Sequence, residues 1–122
     1  MTKILPTLSS ILLAIGVACG AFGAHGLRGV VPDSDLLIWE KAVFYHLFHG
    51  LAALALVLFN SSVVTHEKAA RVALVLIISV TIFSGSLYLL VLTNTRWLGA
   101  ITPLGGLGFI VSWLYLALKS KP

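Results

Sequence analysis

The chain has 122 residues, of which eight are Lys or Arg and four are Asp or Glu, while 59% are hydrophobic. A soluble domain carries about a quarter of its residues as charges to cover its surface, so this composition excludes a disordered chain, a nucleic-acid-binding domain and an ordinary soluble enzyme. The net charge of +4 arises from basic residues at the ends of apolar runs, which read as headgroup-level flanks rather than as a stripe for nucleic acid.

Four stretches carry no charge: Ile4 to Leu27 (24 residues), Ala42 to His66 (25), Val72 to Thr95 (24) and Trp97 to Leu118 (22). At about 1.5 Å of rise per residue, about 20 helical residues cross the hydrocarbon core of a bilayer, so each run is long enough to span. The expected fold is all-α: a polytopic membrane protein with four transmembrane helices in a small bundle. It forms one domain over residues 1–122, with spans at about 6–27, 36–59, 69–92 and 97–118.

In the first run, Lys3 followed by Leu8 to Val17 imitates a secretory signal, with Ala18-Cys19-Gly20 as a cleavage site. Gly16 stands where a lipoprotein signal wants a larger aliphatic residue, and the apolar run continues through Phe22 to Leu27, so the segment reads as a retained helix. It starts near Pro6, a residue tolerated in a first turn. Gly16 and Gly20 form a small-xxx-small spacing, extended by Gly23 and Gly26, which lets a neighbouring helix approach closely. Cys19 is the single cysteine; it forms no internal disulfide and reads as a small packing residue. His25 closes the run.

Gly29, Pro32 and Asp33 mark a connection, after which Asp33, Ser34 or Asp35 is expected to cap helix 2. Glu40 is expected to pair with Arg96 or Arg28 at the outer surface. Helix 2 carries Tyr45-His46-Leu47-Phe48-His49; residues three apart share a helix face. Counted from Trp39, His46 lies about 10 Å and His49 about 15 Å along the axis, the second near mid-membrane. Asn60-Ser61-Ser62 breaks the helix. Helix 3 contains Ser84-Gly85-Ser86 with Tyr88 half a turn on, and Thr93-Asn94-Thr95-Arg96 turns the chain into helix 4. There Pro103 removes a backbone donor, and Gly105, Gly106 and Gly108 permit local unwinding or a kink near the helix start.

Four spans put both termini on one side. That side holds Lys3, Lys68, Arg71, Lys119 and Lys121 against Arg28, Lys41 and Arg96 on the other, so the positive-inside rule favours cytoplasmic termini in a cell (inner) membrane. Trp39 and Trp97 then mark the outer interface, with Trp113 and Tyr115 nearer the inner one.

Buried polar side chains in a span are the candidates for function. If helices 1 and 2 form a hairpin, His25, His46 and His49 converge in the outer half of the bundle. Three readings stay open. A polar pocket for binding or transporting a small ligand would use His25, His46, His49, Ser84, Ser86 and Thr102. A metal site would use His25, His46 and His49, since imidazoles bind Zn, Cu or Fe, although no second Cys or buried carboxylate completes it. In the third, these residues only pack helices in a structural or accessory subunit, with Gly16, Gly20, Gly23, Gly85, Gly105 and Gly106 at the contacts. No catalytic residue and no cofactor is assigned. The expected partners are membrane lipid, a second copy or another membrane protein, and not nucleic acid.

Four motifs carry a family resemblance: Gly20-Ala21-Phe22-Gly23-Ala24-His25-Gly26-Leu27, Tyr45-His46-Leu47-Phe48-His49, Phe83-Ser84-Gly85-Ser86-Leu87-Tyr88 and Ile101-Thr102-Pro103-Leu104-Gly105-Gly106. In this order, one on each span, they resemble the YgdD-like small membrane proteins, also known as domain of unknown function 423. The resemblance implies a bacterial inner-membrane protein of four helices and implies no reaction, cofactor or ligand.

Overall fold

A computed structural model describes residues 3–59 and 64–120. Helix α1 (Ile4–Phe22) continues into a π-helical turn, Gly23–Leu27; α2 runs Asp33–Leu58, α3 runs His66–Thr93, and a 3₁₀ turn, Arg96–Ala100, leads into α4 (Thr102–Lys119). Four helical segments of 24, 26, 28 and 24 residues are long and apolar enough to cross a membrane. The fold is all-α, with no strand element among the described residues.

The termini of these helices follow local chemistry. Pro6 falls in the first turn of α1, where its missing donor costs nothing. After the π-helical turn, Gly29 takes φ +82°, a conformation that favours glycine, and the Val30 and Val31 amides both donate to the Leu27 carbonyl. The expected side-chain cap on α2 is not what forms: Pro32 is the N-cap and its carbonyl accepts from the Asp35 and Leu36 amides. Asp35 is drawn elsewhere, as described below. Thr65 caps α3, its hydroxyl accepting from the Lys68 amide at 3.3 Å, and Asn94 ends that helix in the left-handed region at φ 53°. The break expected at Asn60-Ser61-Ser62 lies outside the described residues. In α4 the glycines stay in regular α-helix, and the irregular winding falls just before Pro103.

The central pair is α2 with α3; α1 packs along α2 with a smaller contact to α3, and α4 packs along α3. Two apolar clusters fill the interior. One, around Ala53, Val72, Ala73, Leu76, Val80 and Phe109, lies toward the end that carries the termini. The other, around Leu27, Leu36, Trp39, Leu90 and Val91, lies toward the opposite loops. Large apolar side chains on all four helices face outward, among them Val17, Phe44, Leu89 and Ile110, as a lipid-facing surface requires.

Candidate functional site: a polar belt between two apolar clusters

Between the two clusters lies a layer of polar side chains in which His46 is 3% and His49 5% exposed. Glycine makes room for it. A Cβ on Gly16 would lie 2.7 Å from Leu47 Cδ2 and 3.2 Å from His46 Nε2. The bare backbone there opens a window through which His46 Nε2 reaches the Leu12 carbonyl of α1 at 2.7 Å. A carbonyl only accepts, so His46 carries its proton on Nε2 and offers the Nδ1 lone pair. The Tyr88 hydroxyl of α3 donates to that lone pair at 2.8 Å. One imidazole thereby ties three helices together.

His49 has the opposite tautomer. Its Nδ1 faces the Tyr45 carbonyl at 3.1 Å and must donate to it, while Trp113 Nε1 of α4 donates to Nε2, also at 3.1 Å. The ring stacks on Phe109 with centroids 3.7 Å apart, and Tyr45, Phe48 and Trp113 complete an aromatic collar. All four ring nitrogens of the two histidines are spent, three of them on other helices.

The hydroxyls are used in the same way. Ser84 Oγ donates to the Ala42 carbonyl at 2.6 Å, fastening α3 to α2. Ser86 Oγ and Thr102 Oγ1 are 2.5 Å apart and join α3 to α4. The candidates His46, His49, Ser84, Ser86 and Thr102 are therefore all buried, in separate interhelical ties rather than around one space.

His25 departs from expectation. It sits in the π-helical turn with its side chain exposed, and the three imidazoles do not converge. Among the described residues no three His, Cys, Asp or Glu side chains gather closely enough to hold a metal ion. An α-helix advances about 100° per residue, so the altered winding at Gly23–Leu27 changes the direction in which residue 25 points.

Other placements also differ. Trp39 was expected at the outer interface but is 3% exposed inside the bundle, where its Nε1 donates to the Cys19 carbonyl at 2.8 Å. Gly23 admits it: a Cβ there would fall 2.5 Å from Trp39 Cδ1. Trp97 is exposed at 66%. Arg96 pairs not with Glu40 but with Asp35, through two bonds of 3.0 and 2.7 Å, because Asp35 is the acid that α2 buries beside the 3₁₀ turn. Among the glycines expected at contacts, Gly105 meets the α3 backbone so closely that a Cβ would lie 2.6 Å from Phe83 N; Gly20 and Gly106 have ordinary contact with Val43 and Phe83, and Gly85 has no neighbour within 4 Å. Gly108, against the Ser79 hydroxyl, belongs with Gly105 instead. Trp113 and Tyr88 are the partners that sequence reasoning did not assign to the histidines. The one signal for them is that an indole N–H or a phenol inside a span must find an acceptor.

Residues 19–106 match the family model described as "Protein of unknown function (DUF423)". A UPF0382 membrane protein of Staphylococcus haemolyticus is 42% identical over 97% of this chain and 95% of its own length. The UPF0382 membrane protein YwdK of Bacillus subtilis is 37% identical over 97% of this chain and 96% of its own. The chain belongs to the DUF423 family. It is a membrane protein with four spanning helices, and neither the family's description nor these relatives' names state a molecular function. The segment matching the DUF423 model includes Trp39, both buried histidines, Ser84, Ser86, Tyr88 and Thr102, while Leu12, Phe109 and Trp113 lie outside it. No solved structure matches the chain.

Proposed function

We propose that this protein is a structural or accessory component of the bacterial inner membrane, with both termini in the cytoplasm, and that its polar belt clamps the four helices rather than lining a ligand pocket or passage. The observation that carries this reading is the engagement of every ring nitrogen of His46 and His49 by protein partners. In hydrocarbon an unpaired polar group is costly, so a belt whose histidines are satisfied by neighbouring helices fixes helix register and leaves no ring nitrogen to hold a solute. The protein then acts through its outer surface, on lipid or on another membrane protein.

Acylation by diethyl pyrocarbonate, which attacks an imidazole lone pair, tests the clamp on protein in native membranes. His25 and His66 are exposed and serve as internal reference sites. Protection of His46 and His49 under conditions that modify the exposed pair supports the clamp. Ready modification of either buried ring would favour an open, ligand-accessible pocket.

A further inference from the structure

Two buried hydroxyls, those of Ser9 and Ser112, are left without a hydrogen-bond partner among the described residues. Ser112 of α4 is 2% exposed. It lines a groove of about 260 Å³ between α3 and α4, formed with Arg71, Val72, Val75, Val111 and Tyr115. The groove begins about one helical turn beyond the point where Gly105 and Gly108 let α4 press on Ser79 and Phe83. Val75 and Val111 are exposed, so it opens sideways toward the surroundings of the bundle rather than into its centre.

The charges at this end of the molecule favour an anion. Lys68 and Arg71 stand in the first turns of α3, and Lys119 is in the last turn of α4. The acid on α3 here is Glu67, which pairs with Arg71 one turn away, both side chains being largely exposed. Such exposed pairs are weak, so a phosphate at the headgroup level competes for Arg71. Apolar walls, a cation at the mouth and the phenol of Tyr115 in between match the order of groups along a lipid: phosphate, ester, chain.

We propose that this groove binds one anionic phospholipid, its phosphate on Arg71, its ester oxygens at the Tyr115 hydroxyl, and the start of an acyl chain against Val72, Val75 and Val111. This inference does not depend on the clamp reading, because no residue of the groove makes a hydrogen bond to the histidines.

The test is lipid retention by the full-length protein in native mass spectrometry from micelles, with added phosphatidylglycerol or phosphatidylcholine of identical chains. The expected result is a preference for phosphatidylglycerol of about fivefold, the worth of one basic residue at an anionic surface. Arg71→Gln abolishes that preference and Glu67→Gln, which frees the guanidinium, increases it; both sites are exposed, so folding is preserved. Val75→Trp fills the groove and removes retention of phosphatidylglycerol. Equal retention of the two lipids overturns the proposal, as does indifference to Arg71→Gln. So does displacement by inorganic phosphate alone, which would mark a simple anion site. A dimer that retains no lipid would assign the face to a second copy of the chain and equally overturn it.

Discussion

Trp113 Nε1 lies 3.1 Å from His49 Nε2 and can only donate. That contact dictates the protonation of a residue on another helix: His49 must present a lone pair at Nε2 and carry its proton on Nδ1, toward its own helix. His46, one turn earlier on α2, is held in the reverse arrangement by the Leu12 carbonyl.

Removing either donor strands a lone pair in an apolar interior. Trp113→Phe and Tyr88→Phe are each expected to destabilise the bundle by about 0.6–2 kcal/mol, the range of interhelical hydrogen bonds in membranes and of unpaired buried acceptors. Reversible unfolding in mixed detergent micelles with increasing dodecyl sulfate measures this. A double variant should lose the sum of the two, since the substitutions act on different imidazoles.

The glycines divide sharply. Gly105→Ala would place a Cβ 2.6 Å from Phe83 N, against backbone that cannot swing aside, and is expected to cost about 1–3 kcal/mol by overpacking. Gly85→Ala meets nothing within 4 Å and is expected to stabilise α3 by about 0.5–1 kcal/mol through helix propensity. The same unfolding assay reads both, and opposite signs are the point of the comparison.

Asp35 and Arg96 are 61 residues apart and join the start of α2 to the 3₁₀ turn before α4. The two parallel bonds depend on the planar guanidinium. Asp35→Asn should therefore loosen residues 94–100, read as faster amide exchange there with little change in the middle of α3. Arg96→Lys should give the same result despite keeping the charge.

The spans were legible because charge avoidance is a one-dimensional property: Lys41, Glu67, Arg71, Arg96 and Lys119 bracket the runs wherever the helices point. The belt lies at the level of His46 and His49 on α2, between the two apolar clusters. Direction around each helix axis was not legible. Residue spacing says that His46 and His49 share a face but not that α1 and α3 stand before one and α4 before the other. His25 was misjudged because Gly23–Leu27 winds as a π-helix. Trp39 was misjudged because indoles suit both an interface and a glycine notch, and the notch at Gly23 belongs to another helix. The pairing of Arg96 with Asp35 rather than Glu40 likewise depends on which side of α2 faces the 3₁₀ turn.

Orientation has its own test. In a Cys19→Ser background, Lys3→Cys and Ser120→Cys should react with a membrane-impermeant maleimide from one side, and Pro32→Cys from the other. The positive-inside rule, with five basic residues against three, predicts that the side carrying the termini is the cytoplasmic one.

The clamp itself is tested most directly by solid-state ¹⁵N NMR of histidine-labelled protein in lipid bilayers at neutral pH, with His46→Gln and His49→Gln used for assignment. The account predicts two neutral, non-exchanging rings of opposite tautomer, His46 protonated at Nε2 and His49 at Nδ1, neither changed by adding zinc. Matching tautomers, a ring averaging between forms, or a zinc-shifted resonance at either site would contradict it.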